Sequence, residues 1–374
     1  MTLNRRQWLQ GISYAGAIGA TGKASALASS AGRSQASFSP ASSLPMPRDL
    51  GSPVTPSLRP VIEASQDVHT HYEKIVEVAG WMAYEDLPLP NLAIPYGLEK
   101  TPDIAMDFVM VANTIDTAFT DFKTHVKFQI DYAGAHLSDS EAMFACLKRA
   151  MDNGIPILEG KFLATISRQD MDKIFAGNME MPMVEEKIAV FREAGKVLTA
   201  KYGGRYHNFI RSCPPRLYDN GKGLVERLAA EFPRYNDVSM YEGHEIKFYK
   251  LTQLGFWQIY SGLHETGAFK LEDPQKMTAF ADYIVPVALR LMGMTSYSPA
   301  LEQAINSHQL IPRDSRQEIE IRAHCLYATA LLTDEINKIR GPEEQIIIPQ
   351  IDARLWTHYH TTSWPHHLTE TIMY

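Results

Sequence analysis

At 374 residues the chain is long enough to bury a substantial core in one large or two fused domains. A formal net charge of −7 and a pI near 6.0 exclude a protein that holds nucleic acid over a broad basic surface. Hydrophobic residues make up 45% of the chain, but no apolar run is long enough to span a bilayer, so the expectation is a globular protein with no stable membrane span.

In chain order, the first feature is Asn4-Arg5-Arg6-Gln7-Trp8-Leu9-Gln10, which is similar to a twin-arginine export motif. A Gly/Ala-rich apolar region follows, then Lys23 and a small-residue site at Ala26-Leu27-Ala28. Residues 1–28 therefore read as a twin-arginine signal peptide. That makes the translocase a partner and the periplasm or the exterior the destination. Residues 29–60 are rich in Ser, Pro and Ala and read as a disordered spacer, because they offer too little apolar surface to offset chain entropy.

The globular part is expected over 61–374. Asp67 to Tyr84 reads as one helix, with Val68, Tyr72, Ile75, Val76 and Ala79 on its apolar side. His69-Thr70-His71 has the spacing of a metal-binding pair, but both imidazoles face one way only on a strand. No β/α alternation follows, so no metal is assigned. Phe108 to Ala118 reads as a helix. Thr124 to Leu137, where HVKFQIDY alternates before AGAHL, reads as a hairpin. Beyond Ser140 the periodicity is helical over 141–153, 168–176, 182–202, 221–232, 248–262, 275–293, 299–307 and 315–339. Cys146 and Cys325 lie in apolar helical contexts, and with Cys213 they make an odd number without a CxxC, so no disulfide framework is expected. His358, His360, His366 and His367 fit no structural zinc spacing and read as incidental residues of a surface tail.

The most informative stretch runs from Phe248 to Ser298. Phe248, Leu251, Leu254, Phe256 and Ile259 recur at helical spacing, with Lys250 and Gln253 on one face. Asp282 and Tyr283 sit in a greasy run just before Pro286, which suits the first turn of a helix. A carboxylate at that point is either a helix cap or a functional group aimed out of the helix end.

FYKxxQ at Phe248, FADYxxP at Phe280, xLxxxGxxxYSxxL ending at Leu301 and RQEIEIR at Arg316 carry a resemblance. So do NGIPI at Asn153, MPMVEEK at Met181, KYGGRYHN at Lys201, FPRYNDV at Phe232, IDARLW at Ile351 and the terminal HLTETIMY. In this order, from about residue 61 to the end, the chain resembles the queuosine salvage protein family, whose members free the 7-deazaguanine base queuine from queuosine 5'-phosphate. The resemblance implies a mainly α (α+β), multi-helical, DNA-glycosylase-like fold with a small β-hairpin or sheet in the N-terminal half. It also implies a hydrolase of an N-glycosidic bond that acts on a small nucleoside or nucleotide, without a cofactor and without direct nucleic-acid contact.

Such chemistry passes through an oxocarbenium-like state and wants a carboxylate at the sugar, a grip on the base and a cation for a phosphate. By resemblance, Asp282 is the catalytic carboxylate, Lys250 orients the ligand or its phosphate, and Tyr283 lies in the same pocket. Phe119 supplies part of a stacking wall, with Asp116, Gln253 and Gln258 completing the substrate-binding set. Several positions depart from the family pattern. Asp116 stands for an Asn, Thr120 for a Trp, Asp139-Ser140-Glu141 for a Gly-Tyr-Trp-like element, and Gln258 for an Asp. Ile284 and Val287 replace an Arg and a Gln, and Leu368 and Glu370 replace arginines. A paralogue acting on another substrate and a non-catalytic 7-deazapurine binder are the alternatives on this fold.

Overall fold

The structure, a computed structural model, describes residues 44–89 and 94–374. The proposed signal peptide lies outside the described residues. The elements that position the site are numbered in chain order. Helices α1 (Val54–Ser57) and α2 (Arg59–Ala64) bury Val54, Leu58 and Val61. The packed chain therefore starts earlier than residue 61, and the end of the expected spacer belongs to the core.

The expected helix over 67–84 is a strand and a helix, β1 (Val68–Thr70) and α3 (Tyr72–Met82). The reason is long-range. The buried Glu320 carboxylate accepts the backbone N–H groups of Gln66, Asp67 and Val68 at 2.7–3.1 Å, which holds that backbone open. His69 and His71 are thus at a strand, but His71 Nε2 is hydrogen-bonded to Ser296 Oγ at 2.7 Å, and no metal-holding cluster forms among the described residues.

Helix α4 (Pro102–Thr114) is buried on nearly all sides. Strands β2 (Gln129–Tyr132) and β3 (Ala135–Ser138) form the expected hairpin, with Ala133 and Gly134 at positive φ as a two-residue hairpin turn requires. Helices α5 (Asp139–Asp152) and α6 (Val184–Lys201) follow. A second hairpin, β4 (Val238–Tyr241) and β5 (His244–Lys247), turns at Glu242-Gly243 and leads into α7 (Lys250–Leu263).

The expected helix over 275–293 is also corrected. After a short 3-10 turn at Pro274–Lys276, residues 277–284 are non-helical and the α-helix is only α8 (Val285–Leu291), because Thr278 and Phe280 give their N–H groups to Gln253 and Asp352 instead. Strand β6 (Thr295–Tyr297) pairs antiparallel with β1. Helix α9 (Arg316–Ile339) is largely buried, and α10 (Ile348–Tyr359) packs on it.

The fold is mainly α with small two-stranded sheets. Among the described residues two large cores result, one built on α4, α5, α6 and α7, the other on α1 to α3 and α8 to α10, with a small third cluster around Val68 and Ile321. The 277–284 strip runs between the two large cores. Cys146 and Cys325 are buried, and all three cysteines are free thiols. Among the described residues no helix is long and apolar enough to cross a membrane.

Candidate active site

Helix α7 begins abruptly because Tyr249 adopts a left-handed conformation (φ 51°) and turns the chain out of β5. Lys250, the first helical residue, donates its backbone N–H to Asp237 Oδ2 at 3.1 Å. Its side chain is buried, and no described residue accepts a hydrogen bond from its ammonium.

Asp282 closes the 277–284 strip. Its Oδ1 accepts the N–H groups of Ile284 and Val285, both at 2.9 Å, so it caps the entry to α8, and Pro286 lies in the first turn as its spacing predicts. The two readings of this carboxylate coexist. One oxygen caps the helix while the residue as a whole is buried, with no described donor to Oδ2. Burial pushes its carboxyl above the usual range, the Lys250 charge and the two amides pull it back, and Asp116 adds to the push. Lys250 and Asp282 sense each other electrostatically yet form no salt bridge.

A second buried carboxyl shares this environment. Asp352 on α10 accepts the Phe280 N–H at 2.8 Å, and burial together with Asp282 raises its carboxyl well above the ordinary range. Two buried carboxyls so close together raise each other, since two like charges are costly to hold away from water.

The facing wall is the segment 116–120. Lys187, fully buried on α6, donates to the carbonyls of Ala118 and Pro182 at 2.9 and 2.8 Å and lies 5.0 Å from the Phe119 ring centroid. Thr117 Oγ1 donates to the carbonyls of Thr371 and Tyr374, both at 2.8 Å, which fastens the C-terminal segment over the seam. Tyr283 packs against His366, with ring centroids 4.5 Å apart and the planes tilted by 32°. His367 is buried, and its Nε2 lies 3.2 Å from the Tyr374 hydroxyl. His366 and His367 are therefore packed rather than part of a surface tail, whereas His358 is exposed as expected. The two pack because apolar Leu368, Met373 and the Tyr374 ring draw them inward.

Asp282 lies within electrostatic reach of Lys250, of Tyr283 and of half-buried Asp116. Gln253 is held by the protein itself, through Thr278 and the Phe248 carbonyl. Phe119 is buried in the first core beneath Lys187, and Gln258 lies two turns along α7 with a buried, unpartnered Oε1. Thr120 bridges to Lys127, and Ile284 and Val287 are buried apolar residues. Asp237, Arg322, Asp352, Lys187 and His366 escape sequence reasoning as site residues, although NDV, EIR and IDARLW contain three of them. A groove of about 630 Å³, lined by Arg216, Asp273 and Lys276 among others, includes none of the site residues.

A mainly helical protein that sets a buried carboxylate beside a buried lysine is the class that this fold and site define. The chain belongs to the queuosine salvage protein family, whose model matches residues 97–374. A relative from Sphaerobacter thermophilus, named queuosine 5'-phosphate N-glycosylase/hydrolase, is 29% identical over 325 residues, 86% of this chain and 97% of its own length. Relatives of the same name from Mus musculus and Bos taurus are each 28% identical, over 323 and 286 residues, or 82% and 76% of this chain and 93% and 80% of theirs.

Proposed function

We propose that this protein hydrolyses the N-glycosidic bond of queuosine 5'-phosphate, or of a closely related 7-deazapurine nucleotide, and releases the base. The observation that carries this reading is the state of Asp282: buried, oriented by two backbone amides through one oxygen, and uncommitted at the other. As the bond from C1' to the base nitrogen breaks, its electron pair leaves with the base and positive charge grows on the sugar. An ionised Asp282 stabilises that charge and takes a proton from the water whose oxygen bonds to C1'; the base nitrogen is protonated in turn. Lys250 suits an anionic or hydroxyl oxygen of the ribose phosphate. Tyr283, backed by His366, offers an aromatic face to the base.

The test is incubation of purified protein with queuosine 5'-phosphate and, separately, queuosine, followed by chromatography for free queuine. Release from the phosphate at a rate abolished by Asp282→Asn is the expected result. Tight binding without release identifies a binder, and neither binding nor release refutes the reading.

We also propose export by the twin-arginine route, supported by Arg5, Arg6, the apolar stretch behind them and Ala26-Leu27-Ala28. A double Lys substitution at Arg5 and Arg6 is expected to strand the precursor in the cytoplasm. Unchanged periplasmic accumulation overturns it.

A further inference from the structure

We infer that Arg322, acting through Asp237, is the positioning residue that sets the separation of Lys250 and Asp282. This rests on the reading above, in which those two groups work on the ligand from opposite sides of the seam.

Lys250 begins a helix of the first core, whereas Asp282 ends a strip that runs beside the second. Something rigid must hold them in register, and α9 places the Arg322 guanidinium between them. Nη1 donates to Asp237 Oδ1 at 2.9 Å and Nη2 to Asp237 Oδ2 at 2.6 Å, a two-pronged contact. Asp237 Oδ2 also accepts the Lys250 N–H, and the Asp237 carbonyl accepts the N–H groups of Phe248 and Tyr249 at 3.0 and 3.2 Å. The turn that launches α7 therefore hangs from this one aspartate. On its remaining edge, Arg322 Nε donates a long hydrogen bond of 3.4 Å to the carbonyl of Ala281, the residue bonded to Asp282.

Two aromatic rings also pack on the guanidinium, with Phe248 at 3.9 Å and Tyr374 at 4.3 Å. Held by hydrogen bonds along its edges and by two rings, a planar cation has little freedom to move. Glu318 Oε1 lies 3.7 Å from Nη1, one helical turn away on α9. A pair kept for stability alone gains little from such burial, since well-packed apolar residues usually serve as well. Spacing is what this strut adds. Lysine cannot reproduce it, because an ammonium cannot hold two carboxylate oxygens in a plane and reach the Ala281 carbonyl as well.

The experiment uses the full chain as wild type, Arg322→Lys, Asp237→Asn and Asp282→Asn. Steady-state release of queuine from queuosine 5'-phosphate is measured alongside the titration of Asp282. The latter uses carboxyl-¹³C-labelled aspartate, with the Asp282 signal assigned by its loss in Asp282→Asn. Arg322→Lys is expected to lower kcat by roughly thirtyfold or more with KM within about threefold, as a displacement of about 1 Å can cost a hundredfold. The Asp282 midpoint should move up as Lys250 drifts away from it. In the Asp282→Asn background, Arg322→Lys should cause no further loss.

If Arg322→Lys does not fold, Asp237→Asn, which keeps an acceptor oxygen, carries the same two readouts. An unmoved Asp282 midpoint overturns the positioning role, whether kcat is retained or falls only with the folded fraction. A wild type that releases no base, combined with a displaced midpoint in the variant, overturns the proposed hydrolysis and leaves the strut standing.

Discussion

Gln253 and Thr278 exchange two hydrogen bonds, the Thr278 N–H donating to Gln253 Oε1 and Gln253 Nε2 to Thr278 Oγ1, each at 2.9 Å. The exchange ties the first turn of α7 to the strip that ends in Asp282. Replacing Gln253 with Leu keeps much of the volume but leaves a buried N–H without its acceptor. The expected loss is about 1–3 kcal/mol in denaturant unfolding, the usual penalty for one orphaned buried group. A Gln253→Leu protein as stable as wild type removes this exchange from the account of the seam.

Asp282→Asn preserves an oxygen for the Ile284 and Val285 amides while removing the charge. The expected outcome is a fall in kcat of roughly a hundredfold or more at nearly unchanged stability, the range typical of an acid–base group. Asp282→Ala should in addition lose about 1 kcal/mol, the worth of a helix cap. Thermal unfolding and turnover measured on both variants separate the two roles, and near-normal turnover in Asp282→Asn reduces the residue to a cap.

The pH profile should show the same carboxylate. Burial raises the Asp282 carboxyl, so activity that needs its ionised form is present above that raised value and is lost as pH falls through it. Lys250 is the largest influence pulling in the other direction. Lys250→Met should therefore move the acid limb of kcat upward, by roughly 1–3 units on the usual scale for loss of a close opposite charge. An acid limb that stays in place would show that Lys250 and Asp282 are not electrically linked.

Lys187 gives a separate pH test. Complete burial lowers its amine to about 7, against an ordinary value of 10.5. A neutral amine has two N–H groups, enough for the Ala118 and Pro182 carbonyls. Between those two values the unfolded chain holds a proton that the folded one does not, so the Lys187 contribution to stability is in place above the unfolded value. It is lost as pH falls toward 7. Relative to Lys187→Met, wild-type stability should climb with pH over this window at up to about 1.4 kcal/mol per unit. A flat difference between the two proteins across pH 7 to 10 contradicts a neutral buried Lys187.

Helices such as α6, α7 and α9 were legible in the sequence because a 3.6-residue apolar period needs only neighbouring residues to express itself. The hairpin at β2 and β3 was legible for the same kind of reason, alternation closed by Ala133-Gly134. Its counterpart at β4 and β5 was not, since His244-Glu245-Ile246-Lys247 holds a single apolar residue and so shows no alternation to read. Where periodicity and long-range hydrogen bonds conflicted, the latter prevailed. Glu320 opened the backbone before α3, while Gln253 and Asp352 took peptide groups of the strip before α8.

The candidate site divides along the same line. Lys250, Asp282 and Tyr283 stood out locally, as polar residues in apolar runs beside a helix start. Nothing local marks Asp237, Arg322 or Asp352 as their partners, because each lies in another segment and becomes relevant only when the two cores close. The order of helices and the poised carboxylate were thus set by short-range pattern. The seam was decided by tertiary packing, for burial is what makes a carboxylate titrate high and a guanidinium rigid.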